Sequence, residues 1–189
     1  MKNNLFIAGV IMLALALTGC SHPVKQASVN NSAELAALKN PQTITHRTLS
    51  LQIPGDWKEV KQDMLLYYLP VGSVATDTVS EKVVAAVYSV PAKSTSSLAQ
   101  LMNDDFNVNQ RAKGGWTFVT STEPVKLGPL TAREEVYEYQ IIGKKILIDQ
   151  VDAKNGEYLY KFQHLCVSNV CQYSAIYKAI LASFKPITP

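Results

Sequence analysis

Cys166 and Cys171 are separated by Val167-Ser168-Asn169-Val170, and His164 precedes them by two positions. Sulfur and imidazole at this spacing point to three kinds of chemistry: zinc ligation, dithiol redox chemistry or a disulfide. A structural zinc site takes about four ligands, and along the chain only His164 stands beside the two sulfurs. Thioredoxin-like motifs place two residues between their cysteines rather than four. A bridge needs Cα atoms within about 7 Å. Five steps along a strand span about 17 Å, and five along a helix span about 8 Å with the side chains facing apart. A disulfide here therefore demands that residues 167–170 reverse the chain, and Ser168-Asn169 are suitable turn residues.

The remaining ionisable groups are less pointed. His22 lies in a polar N-terminal stretch and His46 opens the first predicted strand. Asp104-Asp105 and Glu134-Glu135 are adjacent pairs. Neighbours on a strand face opposite ways, and on a helix they diverge by about 100°. Neither pair is set to share a metal, and solvated faces are expected. No G-x-S-x-G, H-E-x-x-H or Walker sequence occurs. The sequence predicts no enzyme, no metal and no cofactor. By the period of two, His164 shares a strand face with Tyr158, Tyr160 and Phe162. That stripe, or Trp57, is the candidate wall of a small-ligand pocket. The commoner role for such a stripe is a core face beneath a helix, with His164 at its wet end.

The third cysteine sits elsewhere. Lys2 is the only charge in the first nineteen residues, and residues 5–17, LFIAGVIMLALAL, are apolar. As a helix this run spans about 20 Å, short of the roughly 30 Å bilayer core, but it fits the apolar core of a secretory signal. Leu17-Thr18-Gly19-Cys20 then resembles the lipobox of bacterial lipoproteins. The resemblance implies cleavage after Gly19 and a Cys20 carrying acyl chains on its sulfur and its new amine. Several chains would anchor tightly where one alone binds marginally. Ser21 follows, whereas in enteric lipoproteins Asp at that place marks retention in the inner membrane. The expected location is the bacterial cell envelope, facing the periplasm from the outer membrane. That exported compartment favours the disulfide reading of Cys166 and Cys171.

Without the charge of Lys2, the formal net charge falls from +3 to about +2. This is too little for a nucleic-acid footprint, and no basic stripe occurs. Residues 1–19 read as the signal and 20–45 as a lipidated flexible tether rich in Ser, Asn, Gln and Pro. A tether of this length reaches about 25–30 Å. Within it AELAALK, residues 33–39, is predicted to form at most a turn or two of helix.

The domain over 46–189 must position the rest. Residues 48–53 alternate as a half-buried strand, and Pro54-Gly55-Asp56 makes a turn. A second strand is predicted over 64–69. Residues 83–90, VVAAVYSV, read as a central strand buried on both faces. Ser97 and Gln100 form a capping box before a helix with Leu98, Leu101, Met102 and Phe106 on one side. Gly114-Gly115 ends it, a short strand follows over 116–120, and Gly128-Pro129 breaks the chain. Strands over 131–142, 144–153 and 157–165 form a meander, with Asn155-Gly156 as a hairpin signal. Tyr173, Ile176, Tyr177, Ile180, Leu181 and Phe184 mark one face of a last helix, stopped by Pro186. The expected class is α+β, an antiparallel sheet sandwiched by helices.

LQIPGDW at residues 51–57 resembles the opening of PsbP-like domains, and SAIYKAILASFKP at 174–186 resembles their last helix. DcrB-type lipoproteins of bacterial envelopes share that fold and anchor. The resemblance covers about residues 45–186. It implies an α/β/α sandwich and a protein-binding role. One family member is an extrinsic photosystem subunit and another binds the Ran GTPase. The family carries no active-site motif to transfer. The expected function is a non-catalytic, lipid-anchored interaction or complex-accessory module with an envelope protein as partner. The alternative is a small-ligand or lipid binder using the aromatic stripe.

Overall fold

The computed structural model describes residues 35–90, 96–113 and 115–187. In chain order the elements are β1 (Gln42–Thr45), β2 (Leu49–Ile53), β3 (Lys58–Gln62), β4 (Leu65–Leu69), β5 (Lys82–Ser89), α1 (Leu98–Lys113), β6 (Thr117–Leu127), β7 (Leu130–Ile141), β8 (Lys144–Asn155), β9 (Tyr158–Val167), α2 (Ser174–Ser183) and β10 (Lys185–Pro186). A seven-stranded antiparallel sheet runs β3-β4-β5-β9-β8-β7-β6, and a three-stranded sheet runs β1-β2-β10.

Alternation places β2 as predicted: Leu49, Leu51 and Ile53 are buried and the residues between them are not. β5 is buried over most of its length, because β4 and β9 flank it and both faces are covered. The capping box forms reciprocally. The Gln100 amide donates to Ser97 Oγ at 3.2 Å and the Ser97 amide donates to Gln100 Oε1 at 2.9 Å. α1 lies on one face of the large sheet, where Phe106 stacks on Tyr137 at 5.1 Å above Ile146 and Ile148. α2 and the small sheet cover the other face. There Leu49, Leu51, Tyr160, Phe162, Tyr177, Ile180 and Phe184 belong to one core. The predicted sandwich is the observed one.

Gly128 locks the two layers together. Its amide donates to Leu181 O at 2.9 Å, its φ is 53°, and a Cβ there would lie 1.9 Å from Phe184 O. Only glycine allows the β6–β7 turn to approach the end of α2 so closely.

Four local expectations change. The folded domain begins before residue 46: Leu38 is buried and β1 pairs with β2 from Gln42↔Ile53 to Thr45↔Ser50. Gln42 Nε2 ties this strand to Trp57 O at 2.7 Å. Polar composition hid β1, because an edge strand takes its stability from backbone pairing rather than from apolar alternation. The rest of the predicted tether and the signal, residues 1–34, lie outside the described residues. β3, KEVKQ, is an unpredicted edge strand for the same reason, joined to β4 by Asp63-Met64. β6 continues to Leu127 through Pro124, which an edge strand tolerates since one side of it needs no ladder donor. Register makes Gly156-Glu157 the central residues of the β8–β9 turn, with Asn155 paired to Tyr158. Gly156, with φ 60°, takes the first central position.

Candidate functional site

The aromatic stripe of β9 is core. Tyr160 and Phe162 meet Phe184 at ring distances of 5.0 and 5.4 Å, and His164 stacks on Tyr177 at 5.3 Å. Tyr160, Phe162 and His164 are at most 2% exposed. Tyr158 is partly buried against the same core. Trp57 is buried edge-on to Tyr173 at 5.3 Å. The structure thus corrects the pocket expectation for Trp57, Tyr158, Tyr160, Phe162 and His164: α2 fills the space a ligand would need. Of two described surface depressions, one of about 350 Å³ lies between β3 and residues 74–76, and one of about 230 Å³ lies between β1–β2 and the end of α2. Neither is lined by these rings.

The end of the stripe gathers the chemistry-bearing side chains. Cys166 and Cys171 are bridged, with Cα atoms 5.2 Å apart. Val167–Val170 reverse the chain: the Val170 amide donates to Val167 O at 2.9 Å and Asn169 takes a φ of 76°. The bridge joins the last residues of β9 to the approach of α2. His164 is not at a wet end. It is buried, and its Nε2 lies 2.7 Å from Glu81 Oε1. Glu81 also accepts the Tyr173 amide at 2.7 Å and the Gln172 amide at 2.9 Å, so it caps α2 from 92 residues away. Burial pushes the Glu81 carboxyl up, but the His164 hydrogen bond and the two amides together outweigh it, and the group is held below its ordinary value. On the same face Asp149, cross-strand from His164, lies beside Glu134. Burial first, and the Glu134 charge second, push the Asp149 carboxyl up.

The opposite face, beneath α1, carries a second buried polar group that the sequence did not single out. Arg133 Nε holds Glu135 Oε1 at 2.8 Å and its Nη1 holds Glu123 Oε2 at 2.6 Å. Tyr137 donates to the other Glu135 oxygen. Gln163 Nε2 donates to Gln150 Oε1 at 2.7 Å, and Gln150 Nε2 donates to Asp152 Oδ2 at 3.1 Å. Lys161 pairs with Asp105 of α1 at 2.7 Å. Burial pushes Asp152 up to about 7 against the pull of Lys161. Glu134 and Glu135 do face opposite ways, but Glu135, expected to be solvated, is only 5% exposed. Alternation was the available signal. Arg133, Glu135 and Tyr137 recur with period two, a polar stripe facing α1.

Apolar side chains are exposed at the sheet edge. Phe118 and Val119 of β6 are each 49% exposed, and Ile142 in the β7–β8 turn is 84% exposed. Phe118 lies edge-on to Tyr137 at 6.0 Å, and Trp116 stacks on Tyr139 at 5.3 Å. Residues 117–122 of this edge, TFVTST, carry no charge, whereas the opposite edge, β3, carries Lys58, Glu59 and Lys61.

No protein-family model and no curated protein matches the chain. Solved structures do. The chain is similar to cyanobacterial PsbP (CyanoP) of Synechocystis sp. PCC 6803 over 78% of its own length and 92% of that protein, at 12% identity and a TM-score of 0.56. It is similar to LpqN, involved in cell envelope biogenesis of Mycobacterium tuberculosis, over 78% of its length and 91% of that chain, at 14% identity and a TM-score of 0.50. A structure from Bacteroides thetaiotaomicron matches 74% of the chain at 9% identity and a TM-score of 0.51. There the chain spans only 45% of the other protein's length. At these identities the likeness shows the fold alone, and the fold is PsbP-like α+β.

Proposed function

We propose that this chain is a lipid-anchored envelope protein, held by Cys20 in the outer membrane, whose PsbP-like domain docks on another envelope protein as a non-catalytic accessory module. The observation that carries this reading is the sealing of the aromatic stripe by α2. It removes the pocket on which the ligand-binding alternative rested. The lipobox resemblance supports the anchor, and LpqN, a neighbour of similar fold involved in envelope biogenesis, supports the compartment. The docking surface is the uncharged β6 edge around Phe118 and Val119. Half-exposed aromatic and apolar side chains on a rigid sheet suit a partner that buries its own apolar patch there.

In-cell crosslinking and pull-down of the tagged protein test this. The expected result is one recurrent envelope partner, captured by the wild type, lost with Cys20→Ser and weakened at least tenfold with Phe118→Asp. Membrane fractionation of Cys20→Ser reads the anchor separately: unchanged fractionation and mass would sink the lipoprotein reading. Undiminished capture by Phe118→Asp would move the docking surface off β6. The absence of any recurrent partner would overturn the module itself.

A further inference from the structure

Glu81, His164 and Cys166 each offer a ligand atom, and these atoms all lie within 4.8 Å of one another. Cys171 Sγ lies outside this set and is joined to it through its bond to Cys166 Sγ. The fold explains the gathering. His164 and Cys166 lie two apart on one face of β9. The Val167–Val170 reversal returns Cys171 to them. Glu81 comes in at the start of β5, since Lys82 pairs with Leu165 and Val83 with His164. Along the chain only one ligand stood beside the two cysteines; the fold supplies the fourth from 83 residues away.

We infer that reduction of Cys166–Cys171 frees the Cys171 sulfur to turn toward this cluster and completes a four-ligand, tetrahedral site for a zinc-class divalent cation, with two thiolates, the His164 imidazole and the Glu81 carboxylate as donors. Sulfur, imidazole and carboxylate in a closed set of four are donors that zinc takes in tetrahedral sites. In the bridged state both sulfurs are committed to each other, and neither is a thiolate, so the bridge closes the site. His164 Nε2 and Glu81 Oε1 already face one another at 2.7 Å. With metal–ligand bonds of about 2.0–2.1 Å they need to spread only to about 3.3 Å to hold the cation between them. Glu81 keeps its cap on α2 meanwhile, because its other oxygen accepts the Gln172 amide. Tyr177, stacked on the imidazole, fixes the ring plane.

The chemistry balances by thiol–disulfide exchange. A dithiol reductant gives two electrons and two protons to the bridge and becomes a disulfide itself, leaving Cys166 and Cys171 as thiols. The cation then displaces both thiol protons to solvent. A disulfide oxidant runs the exchange in reverse: it takes the two electrons and is reduced to a dithiol, the Cys166–Cys171 bond re-forms, and the cation, without its sulfur donors, is released.

Cobalt(II) is the probe, added to the full chain in detergent with Cys20→Ala, so that Cys166 and Cys171 are the only thiols. The protein is reduced with dithiothreitol, which is removed anaerobically. The expected result is one cobalt per chain, tetrahedral ligand-field bands with sulfur-to-cobalt charge transfer, and displacement by zinc. The oxidised protein should show none of these. Glu81→Gln should weaken binding at least tenfold with the near-ultraviolet circular dichroism of the reduced protein retained. An octahedral spectrum, missing sulfur charge transfer, or equal affinity in Glu81→Gln would each overturn the site. The last would mean that Glu81 is not a ligand.

Discussion

Asp152→Asn makes the protein more stable at alkaline pH and gains nothing near pH 4. Asp152 is 1% exposed, and burial raises its pKa from the ordinary 3.8 to about 7. Between those two values the folded chain holds a proton that the unfolded chain has released, so stability falls as pH rises through that window and is level above it. The window spans roughly three pH units at about 1.4 kcal/mol each, which places the full cost at about 4 kcal/mol above pH 7. An asparagine never ionises, and its amide keeps the contact with Gln150, while Lys161 keeps Asp105. Urea denaturation followed by tryptophan fluorescence, at half-unit steps from pH 4 to 8.5, reads the effect. The difference between variant and wild type should grow with pH across the window and then hold constant. A wild-type slope remains in the variant, because Asp149 beside Glu134 is raised in the same direction. A variant offset that is the same at every pH would refute the reasoning, since the carboxyl would then not be titrating in the fold.

Two further substitutions probe single contacts. Gly128→Ala should cost at least about 2 kcal/mol more than Gly143→Ala. Both positions have positive φ, but a Cβ at 128 meets Phe184 O at 1.9 Å and one at 143 meets open space. Equal midpoints in urea would mean that the β6–β7 turn can move off α2. Ser97→Ala removes one half of the capping box and should loosen α1 by about 1 kcal/mol. Amide exchange in the first turns of α1 should rise about fivefold, with the exchange of β9 unchanged.

Several parts of this protein were legible in local sequence. Alternation at Leu49, Leu51 and Ile53, the Ser97/Gln100 capping box, and the Tyr177/Ile180/Leu181 stripe each rest on interactions within a few residues. One stretch of chain is enough to specify those. The turn between Cys166 and Cys171 was legible for the same reason, because a bridge over so short a loop leaves few geometries. β1 and β3 were not legible. Edge strands are held by backbone pairing with a neighbour, and backbone carries no residue signature. The role of the aromatic face was also undecided in the sequence. A period of two tells which side chains share a face but not what lies above it. Only the docking of α2, with Phe184 on Tyr160 and Phe162, decided that the face is core. Glu81 shows the limit most sharply. Its neighbours in the chain say nothing of a role, yet strand pairing between β5 and β9 carries it to His164 and to the amides that open α2. Local sequence determined the strongly patterned elements and their buried sides. Tertiary structure decided which polar groups meet, because their partners lie scores of residues away and only the sheet order brings them within reach.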